Sequence, residues 1–595
     1  MQYPIYTEVT SCRDCYKCVR SCPVKAIQIK DGNAMIVNNR CVYCGKCVHV
    51  CPNSAKKVRL DVSRVELAIE SGRKVFCSLA PSYSSEFAGQ EEELFTALKK
   101  LGFTGISETA IGAALVSEAI DLYMKDHDGK CSWIGTACPA VVELVKKYYP
   151  EQVHRLAPVP SPLQTHSAYL RKLYGDDILI VFIGPCIAKK TEADNTPGYP
   201  DFAITFDEFR AWLSDRAINL SDLEPSELDF IPAKAGLSSL YPIEGGQIRT
   251  SAYWGEEGFK ADAISLSGID QVMSGLTEDP SSSLFLELLS CDGGCVNGPG
   301  TKKNHSISLK KRQASSYTAK RLDCPDLFKG DEEFAKELLR RGYGMLRSGG
   351  PAKEDGFKKE HTEDDIRRAL VELGKLTKAD ELNCGGCGYN TCRDMAIAYL
   401  DGMAEIEMCV TKMRKEAESK VDVLLRTIPM GVVIVDSDLN IADCNTRFLD
   451  IFGDMEEGFV DQSILSMVHG LPLERFVPFS DKFKDQFYLS RPGQYRMHYK
   501  DKYLRVTFFL IEKKRLLGAM FEDITSPTVR RETVVKKAED VIQKSLETVQ
   551  QIASLLGENA AETEIMLNSL IDAFSVHGSG SDPNAMVEDE GGDLT

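Results

Sequence analysis

The chain has 595 residues and a formal net charge of -17 at pH 7, which argues against nucleic acid or an anionic membrane surface as its main partner. That length accommodates several domains with separate cores, so each motif is read within its own segment. The longest apolar run, Ile178 to Ala188, is too short to span a bilayer and contains a proline, so it reads as a buried strand ending in a loop. No N-terminal segment has the charged, apolar and small-residue order of a signal peptide, and a cytoplasmic location is expected. Twenty cysteines suit disulfides poorly in a reducing compartment, so metal is the expectation.

Residues 12 to 23 read CRDCYKCVRSCP and residues 41 to 52 read CVYCGKCVHVCP, two copies of C-x2-C-x2-C-x3-C-P. In that pattern three close thiolates wrap one corner of a four-iron cube, and the fourth, before proline, reaches across to the other cube. The expected sets are Cys12, Cys15, Cys18 and Cys51 on one [4Fe-4S] cluster, and Cys41, Cys44, Cys47 and Cys22 on a second. A zinc ribbon also uses paired C-x2-C units, but the repeated C-P ending counts against it.

After Arg59 apolar strands alternate with amphipathic helices: Lys74 to Pro81 and Ile178 to Cys186 read as strands, Glu92 to Phe103 as a helix. Such alternation predicts parallel sheets, which offer sites beyond the carboxyl ends of their strands. Cys138 and Cys186 sit at such places, each beside a proline, and Cys291 and Cys295 follow in a glycine-rich stretch. Four thiols are the number that closes a cube.

These residues resemble the [FeFe]-hydrogenase family, whose signatures are close to T-S-C-C-P, P-C-x-x-K-x-x-E and E-x-M-A-C-x-x-G-C-x-x-G. Here they read Thr136-Ala137-Cys138-Pro139; Pro185-Cys186 with Lys189 and Glu192; and Glu287 with Cys291, Gly294, Cys295 and Gly298. The resemblance covers roughly the first 345 residues. It implies an H-cluster: a [4Fe-4S] cube on Cys138, Cys186, Cys291 and Cys295, the last also bridging to a diiron unit carrying carbon monoxide, cyanide and a dithiolate. Lys189 would offer its ammonium to a cyanide. Glycine beside Cys295 would let backbone approach the cofactor. The chain departs from the family at Ala137, which replaces the proton-relay cysteine and can neither donate nor accept a proton. Gly184 and Leu289 replace signature methionines. The usual relay is therefore broken, and slow turnover is expected.

Farther on, Cys384, Cys387, Cys392 and Cys409 stand at C-x2-C-x4-C-x16-C. They resemble the small four-iron domain fused to redox regulators and corrinoid proteins, with zinc as the alternative. Leu424 to Gly453 resembles the opening of a PAS domain and a stretch near residue 525 its closing strand; its pocket could hold haem, flavin or nothing, and Cys444 and His469 suit core or surface roles better than ligation. Ile542, Val549 and Leu556 recur at sevens, with Leu546 and Ile552 alongside, as in a short coiled coil or a helix packed back on the PAS sheet. The remaining cysteines, Cys77, Cys131 and Cys324, have no ligand spacing, and Cys77 reads as core.

The expected fold is multidomain α/β and α+β: a ferredoxin-like bis-cluster domain (1–59), a two-lobed α/β iron-hydrogenase domain (60–345), a small four-iron domain (346–415), a PAS domain (418–527), a signalling helix or coiled coil (528–576) and a disordered acidic tail (577–595). The expected function is a sensory [FeFe]-hydrogenase that binds or slowly turns over H2 and protons and passes redox state to the PAS module. Expected partners are a redox carrier such as ferredoxin, a downstream kinase or phosphatase, maturation proteins and, as a homodimer, a second copy. Two rival readings remain: a ferredoxin-linked catalytic hydrogenase, and a hydrogenase-like iron-sulfur assembly protein without the diiron unit.

Overall fold

The computed structural model describes residues 3–525 except 128–131, 197–198, 227–228, 252, 254–261, 278–283, 304, 323–330, 349–359, 454–464, 466, 489–492, 501 and 513–514, together with 541 and 543–545. The chain packs as two units, 1–406 and 407–595. The division falls inside the segment expected to form the four-iron domain. The predicted heptads after residue 528 and the acidic tail lie outside the described residues, as do Cys131 and Cys324.

The first unit opens with the two cysteine repeats. In each, a short helix, Lys17–Ser21 or Lys46–Val50, follows a left-handed residue, Tyr16 (φ 55°) or Gly45 (φ 78°), which turns the chain between the second and third cysteines. Strand β1 (Ile5–Thr7) pairs antiparallel with β4 (Lys56–Val58), and β2 (Ile27–Lys30) with β3 (Asn33–Ile36).

Two parallel sheets follow. Strands β5 (Val75–Leu79), β6 (Gly105–Glu108), β8 (Leu179–Gly184) and β9 (Phe202–Thr205) form one in the order β6-β5-β8-β9. Every residue of β5, β6 and β8 is buried, as unbroken apolar runs require in a sheet covered on both faces. Strands β7 (Trp133–Ile134), β10 (Asp262–Ser267) and β11 (Leu284–Leu289) form the other, ordered β10-β11-β7. The predicted strands at 74–81 and 178–186 are thus β5 and β8, and the predicted helix is Glu91–Lys100. Cys77 is fully buried in the core, as expected.

The long Ala110–Asp126 helix crosses the Pro162–Tyr174 helix closely at Gly112, where an added Cβ would lie 2.0 Å from the Pro162 carbonyl oxygen. Residues 361–406 carry two helices, Glu363–Glu372 and Cys392–Leu400. They pack on the cysteine repeats, with the Ile29 amide donating to Met403 O at 3.0 Å and the Asp31 amide to Glu405 Oε1 at 2.8 Å.

In the second unit a five-stranded antiparallel sheet runs in the order β13-β12-β16-β15-β14, from β12 (Gly431–Asp436), β13 (Ile441–Cys444), β14 (Gln494–Tyr499), β15 (Lys502–Glu512) and β16 (Leu516–Asp523). Cys444 belongs to its core with Phe448, Phe483, Phe508 and Phe521, whereas His469 is exposed. The Val410–Thr427 helix leads into β12, and Leu425 and Ile428 pack against Val432, Phe509 and Met520 on the sheet's other face.

Substituting Gly112→Ala overpacks the helix crossing and should lower stability by about 1–3 kcal/mol, seen as a lower midpoint for the first urea transition. An unchanged midpoint would mean that the two helices do not approach this closely.

Candidate active site and iron-sulfur centres

Four loops leaving the carboxyl ends of β5, β7, β8 and β11 close around one cavity of about 790 Å3, open mouth included. They bring Ala80 to Ser82, Ala137 and Cys138, Pro185 and Cys186, and Leu289 to Cys291 to its wall, with Cys295 from the turn that follows. Cys138, Cys186, Cys291 and Cys295, far apart in sequence, thus face the same space. The Cys138 thiol donates to Ser290 Oγ at 3.6 Å. Burial pushes the Cys186 thiol up to about 12 and raises Cys291 and Cys295, and each thiol raises its neighbours further.

The glycines of the last loop serve protein packing as well as the cavity. Gly294 has φ 102°, and a Cβ there would fall 2.5 Å from Pro242 O. Gly298 lines the cavity but also leaves room for Pro185, whose Cβ and O would both lie 2.8 Å from an added Cβ. At these glycines the closing loops also pass against one another.

Lys189 and Ala137 line the cavity. Glu192 instead backs Lys189: its Oε2 accepts from Lys189 Nζ at 2.7 Å and from Ser161 Oγ at 3.0 Å, and Lys189 Nζ also reaches Ser161 Oγ at 3.1 Å. The arrangement holds an ammonium in a largely dry place, where a charge-assisted hydrogen bond has most effect.

Two polar groups near the cavity were not singled out from sequence. Ser82 is 1 % exposed and lines the wall, and its hydroxyl has no hydrogen-bond partner among the described residues. Its signal was positional, two residues beyond Ala80 at the end of a buried strand. Glu287, in β11, appeared in the third signature without a role. Burial raises its pKa from the ordinary carboxylate range to about 7, against amide hydrogen bonds from Ile248 and Gln247, and its charge is felt at Cys295.

In the N-terminal repeats, Cys18 lies among Cys15, Cys12 and Cys51, and Cys47 among Cys44, Cys22 and Cys41. Burial pushes Cys18 to about 11 and Cys41 and Cys44 to about 12. The repeats also share amide-to-sulfur hydrogen bonds, Ala26 N to Cys22 Sγ at 3.3 Å and Ala55 N to Cys51 Sγ at 3.2 Å. Gly45 meets the hydrogenase-like part directly, since a Cβ there would strike Pro299 and Ile187.

Cys384, Cys387 and Cys392 belong to the first unit. Their loop turns through left-handed Asn383, Gly385 and Gly388, and Asn383 Oδ1 accepts from the Cys392 amide at 2.8 Å. Gly388 lies against Val19 and Arg20, and the Arg20 guanidinium donates to Gly386 O and Cys15 O. Cys409 belongs to the second unit and immediately precedes the Val410–Thr427 helix.

The donor chemistry fits iron-sulfur groups. Thiols with pKa values near 11 to 12 stay protonated at neutral pH, and bound cationic metal reverses that by stabilising the thiolate. Thiolates around one zinc ion stand about 3.8 Å apart, from a Zn–S bond of about 2.3 Å. Among the described residues no group of three or more His, Cys, Asp or Glu stands close enough to hold a single metal ion. At the main cavity the orphaned Ser82 hydroxyl and the Lys189 ammonium supply donors for anionic ligands as well.

Several segments of the chain are similar to known families. Residues 73–299 match the family described as iron only hydrogenase large subunit, C-terminal domain, 11–56 a 4Fe-4S dicluster domain, 380–411 a putative Fe-S cluster family, and 420–487 a PAS domain. Iron hydrogenase 1 of Clostridium pasteurianum is 25 % identical over 43 % of this chain and 52 % of its own length, so the chain spans about half of that relative. The periplasmic [Fe] hydrogenase large subunit of Nitratidesulfovibrio vulgaris is 24 % identical over 40 % of this chain and 71 % of its own. A solved [FeFe]-hydrogenase from Chlamydomonas reinhardtii aligns with 44 % of this chain and 90 % of its own at 19 % identity and TM-score 0.35. No described helix is long and apolar enough to cross a membrane.

Glu287 provides a test of burial beside the cavity. Between the ordinary carboxylate range and about pH 7 the unfolded chain has released this proton and the folded chain retains it, so stability falls as pH rises through that window. Glu287→Gln should remove this loss, on the order of 3 kcal/mol above pH 7, measured as a smaller pH dependence of the urea midpoint. A carboxylic C=O band that titrates with the same midpoint and disappears in the variant identifies the group.

Proposed function

We propose that this chain, whose domains are those of a PAS-containing [FeFe]-hydrogenase, is a hydrogen sensor. One observation carries the reading: four buried thiols and the Lys189 ammonium converge on one cavity where the relay position is Ala137. Cys138, Cys186 and Cys291 would hold the cube of an H-cluster, with Cys295 shared between the cube and a diiron unit. When bound, the diiron unit supplies the chemistry of H2 cleavage and the cubes accept the electrons.

The chain's own groups set the terms. Lys189 and Ser82 would offer hydrogen bonds to cyanide ligands of the bound group, and Glu192 and Ser161 hold the Lys189 ammonium in place. The Ala137 methyl group withholds the proton that a thiol would pass on, which suits occupancy and redox state more than turnover. The dicluster domain carries the two cysteine sets between the hydrogenase-like part, met at Gly45, and the Cys384 loop, met at Arg20. Cys384, Cys387, Cys392 and Cys409 would hold the further cluster.

On the far side of that last ligand, the helix after Cys409 ends on the PAS sheet, where Asn445 Nδ2 donates to Leu425 O at 2.9 Å. A change at Cys409 thus has a continuous helix to act through. The output is a conformational signal read by a separate kinase or phosphatase, and a redox carrier such as ferredoxin resets the clusters. Maturation proteins supply the diiron unit.

Full-length, matured protein should give infrared bands of metal-bound carbon monoxide and cyanide that change between hydrogen and argon. Absence of such bands in iron-replete protein would leave a plain electron carrier or assembly factor. Ala137→Cys should raise H2 turnover by roughly 10²–10⁴. A wild-type rate already typical of working hydrogenases, unmoved by the substitution, favours a catalytic enzyme instead.

A further inference from the structure

The Ala188–Asn195 helix that carries Lys189 and Glu192 has only two apolar residues, Ala188 and Ala193. Burial of two methyl groups anchors a helix weakly. Its position depends on charge. Lys190, beside Lys189, is fully buried, and its Nζ donates to Asp61 Oδ2, Glu208 Oε1 and Ala203 O, each at 2.9 Å. Three acceptors meet all three donors of the ammonium. One turn on, Asp194 receives the Arg59 guanidinium in a two-pronged contact, at 2.7 and 3.1 Å.

Two of these anchors, Arg59 and Asp61, come from one short stretch at the exit of the cysteine-repeat domain, and Glu208 and Ala203 supply the others. Arg59 follows β4, and its amide still donates to Pro4 O at 2.9 Å. Its Nε holds Asp61, whose own amide donates to Glu208 Oε1 at 3.0 Å. Arg64 adds a further contact to Asp61 at 3.0 Å. Three cations, Arg59, Arg64 and Lys190, thus balance three carboxylates, Asp61, Asp194 and Glu208. Burial opposes the charge on Asp61, and the Lys190 and Arg59 cations overcome it and hold the carboxyl below its ordinary range. Breaking one partner of such a set strands the others without solvent, which makes the network stiff.

Because Lys189 and Lys190 are neighbours about 100° apart on the helix, one ammonium enters the cavity and the other is gripped from behind. We propose that Lys190, with Asp61, Arg59 and Asp194, positions Lys189, so that the dicluster domain fixes through buried charges the ammonium offered to the hydrogen site. This rests on the hydrogen-sensor reading for the identity of the ligands that Lys189 meets. It adds a second link between the dicluster domain and the cavity, mechanical and independent of electron flow. Lys190 is a positioning residue: it does not line the cavity, and its effect reaches the site only through the helix.

The test uses full-length, matured protein with Lys190→Met, Arg59→Gln and Asp194→Asn. Lys190→Met leaves Asp61 and Glu208 facing each other and can fail to fold; Arg59→Gln and Asp194→Asn act nearer the surface and keep the question open to measurement. With iron content equal to wild type, the expected result is a shift of the cyanide stretching bands in Arg59→Gln and Asp194→Asn, of the same size and direction in both. The double variant should shift no further than either single one. Crystal structures of the cluster-free variants should show Lys189 Nζ displaced from Ser161 and Glu192. Lowered melting temperatures with wild-type cyanide bands and an unmoved Lys189 would overturn the proposal and leave a purely structural network. If wild-type protein shows no cyanide bands at all, the functional reading fails, while the cluster-free crystal structures still decide whether the charges position Lys189.

Discussion

A buried thiol does not ionise by itself, and this constraint governs the first unit. Desolvation lifts the Cys186 thiol to about 12 and raises Cys291 and Cys295 beside it, so these three gain their binding power only when positive metal enters. The fold accordingly invests in bringing loops together. Four strand ends from two separate parallel sheets meet there, and Gly294 and Gly298 let the last loop close against Pro242 and Pro185. The N-terminal repeats bring thiols together by shorter means, since the first three cysteines of each repeat lie within seven residues of chain.

Around the cavity, charge is distributed unevenly. Lys189 stands on one wall with Glu192 and Ser161 behind it, whereas Glu287 lies near Cys295 and retains its proton up to about pH 7. Ala137 contributes only a methyl group to the wall. The helix bearing Lys189 is held by ion pairs from the exit of the cysteine-repeat domain.

The second unit has a different economy. Its five-stranded sheet closes over aromatic side chains, with Phe448, Phe483, Phe508 and Phe521 fully buried. Cys444 joins that core because a small thiol packs well among apolar groups and no polar partner draws it elsewhere. The Val410–Thr427 helix is joined to the sheet at one end by Leu425, Ile428 and Asn445. At its other end stands Cys409, the one cysteine of its motif on this side of the boundary between the units.

Much of the fold was legible in the sequence because the signals are local. The unbroken apolar runs at Val75–Leu79 and Leu179–Gly184 mark strands of a covered parallel sheet, and Gly431–Asp436 with Ile441–Cys444 follows from a turn between two short apolar stretches. The C-x2-C-x2-C spacing defines thiol groups because three residues of chain fix how far apart they can be. The grouping of Cys138, Cys186, Cys291 and Cys295 rested on their placement after predicted strands and on family resemblance, since no single spacing along the chain relates all four. Ser82 and the charge network of Arg59, Asp61, Lys190 and Glu208 lay beyond reach. A lone serine after a strand and a pair of lysines on a polar helix look like solvated surface in one dimension. Sequence determined which segments become strands and which thiols share a turn, because backbone geometry over a few residues decides both. Tertiary structure alone decided which loops share a cavity and which charges are dry, because solvent is excluded by segments that the local sequence does not contain.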